Sequence, residues 1–165
     1  MTKGTMSEAE LREDAGFSYD TFRRSVPAAQ AALLALGKAV DEAGLDKRLS
    51  EIVKIRVSQI NGCAFCVGFH LDTARRLGIA DPILDGIAVW RDHPGFSARE
   101  RAALAWAEQL TRMADGAAPS YSTEPPRALF SRDETLLLTV AIATINAWNR
   151  IAGGLHFPPL ARQAA

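Results

Sequence analysis

A chain of 165 residues, 48% of them hydrophobic, is long enough to bury one substantial core and too short for two domains of ordinary size. Nineteen basic residues balance nineteen acidic ones, and the pI is near 6.8, so there is no electrostatic basis for binding nucleic acid or an anionic membrane surface. The expected partners are small molecules and other proteins.

Residues 1–24 are polar and mixed in charge, without the apolar stretch of a signal peptide. They read as an N-terminal arm with one short helix around Ser7 to Ala15, and they point to a cytoplasmic protein. The domain proper spans 25–155, followed by a tail over 156–165 that carries Pro158-Pro159. Pro27 suits a first helical turn, Ala28 to Ala43 is rich in Ala and Leu, and Gly44 suits a left-handed stop. A second helix starts at Asp46, a good N-cap, and carries Leu49, Ile52, Val53, Ile55, Val57 and Ile60. Asn61-Gly62 is a turn signal that separates it from a third helix, which runs to Leu77 with Gly78 as its stop.

Asp81-Pro82 reads as an N-cap and first-turn proline opening a short helix to about Trp90. Ser97-x-x-Glu100 and Ser131-x-x-Glu134 are capping boxes. The first opens a helix to Met113, and the second stands before an apolar helix from Thr135 to Ile151 that Gly153-Gly154 should end. Between them, Pro125-Pro126 introduce a short helix over 127–130. The longest apolar run, Leu136 to Trp148, covers thirteen residues against the roughly 20 that span a bilayer, so it reads as a core helix. No alternating strand pattern occurs, and the expected fold is all-α with about six to eight helices.

The reactive residues gather between Glu51 and His70, a segment that holds both cysteines, one of the three histidines and a glutamate among β-branched neighbours. In a reducing compartment a Cys-x-x-Cys pair serves redox chemistry or metal binding more often than it staples a fold. At 100° per residue, Cys63, Cys66 and His70 fall within an arc of about 60°, with His70 one turn from Cys66 and two from Cys63. His70 is thus the natural base for Cys66. A helix N-terminus and an imidazole both favour the thiolate, and a second thiol three residues away can close a disulfide after the first is oxidised. Glu51 must be brought in by packing, where it can orient His70 or pass a proton.

Zinc is the competing use of these residues, with Cys63, Cys66, His70 and Glu51 as ligands. However, side chains at i, i+3 and i+7 spread over about 10 Å of helix. Val67 after Cys66 excludes a c-type haem site. Elsewhere, Trp90, Trp106 and Trp148 are candidates for the core or an interface, with the lining of a pocket as the alternative. Asn146 and Asn149, set in an apolar helix, call for hydrogen-bond partners. Arg56 is expected in solvent unless a carboxylate meets it. His93 and His156 receive no role.

The pattern Glu51, eleven residues, Cys63-Ala-Phe-Cys66, three residues, His70, together with Arg56-x-Ser-Gln-Ile-Asn-Gly before it, resembles the carboxymuconolactone decarboxylase superfamily in its alkylhydroperoxidase AhpD-like branch. Segments from Glu100 to Glu108 and from Ile145 to Arg150 are similar to that branch's later helices. The resemblance implies a helical domain built on a helical hairpin, homo-oligomers that are trimers or hexamers, and no cofactor. It implies reduction of hydroperoxides by a thiol-dependent peroxidase, with Cys66 attacking, Cys63 resolving, and Glu51 and His70 relaying protons. A thiol or dithiol reductant of the dihydrolipoamide or thioredoxin type would complete the cycle. The chain departs from the founding peroxidase at Phe65, where that enzyme has a histidine. Lactone decarboxylation is not expected, because the decarboxylase branch lacks the cysteine pair. The alternative function is a non-enzymatic redox sensor or a disulfide-controlled assembly protein.

Overall fold

The computed structural model describes residues 16–115 and 125–160. Among these residues there are seven α-helices and no strand: α1 (Tyr19–Ser25), α2 (Pro27–Glu42), α3 (Lys47–Ile60), α4 (Ala64–Arg76), α5 (Asp81–Gly86), α6 (Ala98–Thr111) and α7 (Arg132–Gly154). Single 3-10 turns follow α5 (Ile87–Val89) and α6 (Arg112–Asp115). The expected helix around Ser7 to Ala15 lies outside the described residues.

Local chemistry sets most of the boundaries. The Asp46 carboxylate accepts the Leu49 N–H at 2.7 Å and opens α3, and both capping boxes form, at Ser97/Glu100 and Ser131/Glu134. Gly44 and Gly78 end their helices at φ +89° and +78°, a conformation that a Cβ would oppose.

Three boundaries differ from expectation. Asp81 lies inside α5, and Ala80 precedes the helix without a side-chain cap. The Asp81 carboxylate instead accepts from Arg75 at 3.0 Å, which removes it from capping duty. Residues 127–130 form turns, closed by Arg127 N–H to Pro125 O and Leu129 N–H to Pro126 O. The Ser131 cap follows at once and leaves no room for a helix. Finally, α7 begins directly after Ser131 and continues through Gly153-Gly154, because packing along its length outweighs the low propensity of two glycines.

By length and composition alone, the 23 residues of α7 could cross a membrane. In this fold α7 is a core helix. It packs against α2, α3, α4 and α6 and buries Leu138, Ala141, Ile142, Ile145 and Ala152.

The central helix is α3, buried at eight of its fourteen positions. Leu49, Val53 and Val57 lie along one stripe and enter a core shared with Leu138, Ile142 and Ile145 of α7. Ile52 and Ile55 point the other way, into a second core with Ile87, Trp90 and Leu104. On a 100° wheel, Lys47, Glu51, Lys54 and Ser58 share an arc of about 60° on a further face. That polar stripe reaches the functional site. The site's other wall is α4, which folds back on α3 to complete a helical hairpin.

Candidate functional site

Asn61, Gly62 and Cys63 make the bend of the hairpin. Gly62 sits at φ +66°, its N–H bonds to Gln59 O, and the Cys63 N–H bonds to Ser58 O at 3.1 Å, which is the pairing of a Schellman ending. Cys63 closes α3 and also caps α4, since its Sγ accepts the Cys66 N–H at 3.3 Å. It therefore precedes the helix rather than lying on its face, and the two cysteines are joined by a disulfide.

The bend is pinned to α7 by asparagines. Asn61 Nδ2 donates to both Asn146 Oδ1 and Asn149 Oδ1 at 2.9 Å, and Asn149 Nδ2 donates to Ser58 Oγ at 3.0 Å. Asn146 also donates to Thr111 Oγ1 and Ile142 O. These bonds supply the partners that the two polar residues of an apolar helix require.

Glu51 and His70 meet across the hairpin, with His70 Nδ1 2.7 Å from Glu51 Oε2. Lys54 Nζ donates to the other carboxylate oxygen, Oε1, at 3.0 Å, and Lys47 Nζ stands 3.9 Å from it. Burial raises the Glu51 carboxyl, but the hydrogen bond from His70, the charge that ring carries once it is protonated in acid, and the charge and hydrogen bond of Lys54 outweigh it and hold it at about 2. For His70, burial pushes the imidazole below its ordinary 6.5. Glu51 pulls it upward, while the charges of Lys54 and Lys47 push it further down. An ionised Glu51 can only accept, so Nδ1 of a neutral His70 carries its proton toward Glu51, and Nε2 keeps a free lone pair.

Glu51, His70, Lys54 and Cys66 all line one cavity of about 400 Å³. Its remaining wall is mostly apolar, with Leu33, Leu34, Phe65, Phe69, Ile145 and Trp148 among its residues. Tyr19 of α1 also lines it, stacking on Phe65 at 5.7 Å between ring centroids, and Phe157 meets the Phe65 ring edge-on at 5.6 Å. Cys66 thus contributes to the cavity wall, whereas Cys63, 1% exposed, lies behind it. Of the tryptophans, Trp148 reaches the cavity. Trp90 and Trp106 are buried, donating to Glu108 and Thr139 respectively. Glu51 and His70 bind each other, and among the described residues no three His, Cys, Asp or Glu side chains are placed to hold a metal ion.

Two features beyond the expected quartet emerge. Lys54, one turn from Glu51 on the polar stripe, carried an i, i+3 signal in the sequence. Tyr19 carried none, because α1 is seven residues long and buries none of them fully. Arg56 is not in solvent. Its guanidinium holds the buried Glu108 carboxylate, 52 residues away.

The displaced proton affinities of His70, Glu51 and Glu108 imply a pH profile for stability. His70 has a folded pKa below its ordinary 6.5, so the unfolded chain takes up a proton there that the folded protein refuses. The stabilisation is present above pH 6.5 and is lost as the pH falls from that value. Glu51 and Glu108 drop from 4.5 to about 2, so their contribution persists to pH 4.5 and disappears between 4.5 and 2. Urea midpoints should therefore be level above about pH 7 and fall in two steps. His70→Gln should erase the upper one.

Residues 27–109, from α2 through most of α6 and including Glu51, both cysteines and His70, match the carboxymuconolactone decarboxylase family. The chain is 30% identical over 120 residues to the uncharacterized protein YdfG of Bacillus subtilis, covering 73% of this chain and 82% of that one. A crystal structure of a protein of unknown function from Agrobacterium tumefaciens, described as a candidate antioxidant defence protein AhpD, superposes with a TM-score of 0.79 at 38% identity, covering 86% of this chain and 97% of its own. An uncharacterized peroxidase-related protein with an alkylhydroperoxidase AhpD core, from Ralstonia eutropha, shares the fold at TM-score 0.72 and 23% identity, over 92% of this chain and 82% of its own. By its sequence match and its helical hairpin with the cysteine pair at the bend, the chain belongs to the carboxymuconolactone decarboxylase family.

Proposed function

We propose that this protein reduces organic hydroperoxides through a thiol–disulfide cycle of Cys66 and Cys63. The observation that carries the reading is the shared cavity: Cys66 and the His70–Glu51 pair line one apolar chamber, and Cys63 sits behind it within disulfide reach. In the reduced protein His70 Nε2 accepts the Cys66 proton. The thiolate attacks one peroxide oxygen, the O–O bond breaks, and Cys66 becomes a sulfenic acid while the alkoxide leaves as alcohol with the proton from His70. Cys63 then attacks the Cys66 sulfur, forming the disulfide and releasing water. A dithiol donor of the dihydrolipoamide or thioredoxin type restores both thiols and is itself oxidised to a disulfide. The balance is one hydroperoxide and two thiols to one alcohol, one water and one disulfide.

An apolar chamber of this size suits an organic peroxide better than hydrogen peroxide, since each buried methylene contributes about 0.8 kcal/mol. Anaerobically reduced protein mixed with one equivalent of cumene hydroperoxide should lose two thiols per cumyl alcohol formed. Catalytic turnover should follow when dihydrolipoamide or reduced thioredoxin is supplied. If peroxide and thiols both survive the incubation, the reading fails.

A further inference from the structure

Lys54 plays no part in the steps above, yet it is one of the more enclosed cations in the site. Its side chain is 14% exposed, it lines the cavity with Cys66 and His70, and it bonds the Glu51 oxygen that His70 leaves free. Glu51 is itself fully enclosed, 2% exposed at its side chain. A carboxylate so placed needs positive charge beside it. If His70 alone met that need, it would do so as imidazolium and could not accept a proton from a thiol.

We propose that Lys54 is a positioning residue of this site: its ammonium serves as the counter-ion of Glu51, so that His70 meets Cys66 as a neutral, proton-accepting imidazole. One carboxylate oxygen is thereby committed to charge and the other to orienting the ring. The charges around His70 leave this task to Lys54. From α2, Asp41 and Lys38 also line the cavity, but Asp41 engages Lys47 at 2.5 Å and Lys38 pairs with Glu42 at 3.4 Å. Lys47, 3.9 Å from Glu51, is thus shared with Asp41 and more exposed than Lys54. The wall from α7 is uncharged, built of Ala141, Thr144, Ile145 and Trp148, and α1 contributes Tyr19. Within α4 itself the cavity residues near His70 are Cys66, Phe69 and Thr73. Burial is the first cause that holds the His70 imidazole below its ordinary value, and the charge of Lys54, ahead of that of Lys47, acts in the same direction.

The inference rests on the peroxide-reduction reading only for its catalytic consequence, and the titration of His70 tests it separately. In the full-length oxidised protein, the imidazole resonance of His70, identified by its absence from His70→Gln, is followed against pH by NMR. Lys54→Met should move its midpoint upward by about one unit, the size expected for losing one adjacent charge. Lys54→Arg, which keeps the charge, should stay with the wild type. If Lys54→Met does not fold, Lys54→Gln should give the same upward shift and decides alone. With peroxide, the acid limb of the rate–pH profile should move up by the same amount, making the variant about tenfold slower on that limb. A midpoint unchanged or lowered in the neutral variants overturns the proposal, as does an equal shift in Lys54→Arg. If the midpoint moves as expected while wild type consumes no peroxide, the peroxidase reading falls and the role of Lys54 stands.

Discussion

Replacing Cys66 with serine is expected to reduce peroxide consumption to the uncatalysed rate, while Cys63→Ser should consume one equivalent and stop. The asymmetry follows from position. Cys66 reaches the cavity, and His70, one helical turn along α4, reaches the same space. Both sulfurs are buried, Cys66 at 4% and Cys63 at 1% exposed, but Cys66 lines the cavity and Cys63 does not, so a peroxide held there is expected to meet Cys66 first. Cys63 has a different advantage. Its sulfur accepts the Cys66 N–H at the N-terminus of α4, which stabilises it as the thiolate that leaves when a donor attacks the disulfide at Cys66. The Cys63→Ser variant should fold normally, because serine is among the preferred residues for the N-cap position that Cys63 occupies. Mass spectrometry with a sulfenic-acid trap should then find the adduct on Cys66. A trapped sulfenic acid on Cys63 in the Cys66→Ser protein, with peroxide consumed, would reverse the assignment.

The elements of the site that the sequence exposes are those whose partners lie within a few residues. Asp46, Ser97 and Ser131 cap their helices through bonds three residues long, and Gly44, Gly62 and Gly78 take the left-handed turns that their spacing suggests. The expectation of two helices meeting at Asn61-Gly62 rests on the same local chemistry. What stays hidden depends on partners far along the chain. The Arg56–Glu108 pair spans 52 residues and the Asn61–Asn149 bond 88, and neither leaves a periodicity to read. Tyr19 is a case of the same kind: α1 has weak patterning, and only its stacking on Phe65, 46 positions on, makes it part of the cavity. Where local signals misled, at Asp81 and at 127–130, a neighbouring side chain or an adjoining cap took the groups that a helix would have used.

Glu108→Ala is expected to produce a loss of stability of roughly 3 kcal/mol, without altering the chemistry of the folded protein. Glu108 is 3% exposed, and its carboxylate ties together three parts of the fold. One oxygen accepts from Arg56 of α3 at 2.7 Å and from Trp90 Nε1 at 2.9 Å, and the other accepts from Arg91 at 2.8 Å, with Arg112 at 3.6 Å. Burial raises this carboxyl, yet the bonds from Arg91, Trp90 and Arg56 hold it at about 2. Truncation leaves the Trp90 indole without an acceptor and Arg56, 13% exposed at its side chain, without a counter-charge. The cost belongs at the lower end of the range for broken buried pairs, because Arg91 and Arg112 are half exposed and water can solvate them. Urea unfolding at pH 7 measures the loss. Adding Arg56→Met should recover part of it, since the orphaned cation is then gone, and a double mutant no more stable than Glu108→Ala would contradict that. Arg56 and Glu51 lie about 140° apart around α3, so the ion pairs on the two sides of the helix are separate. Peroxide reduction by the fraction that remains folded should therefore keep the wild-type pH profile, in contrast to Lys54→Met, where the profile moves while the fold persists.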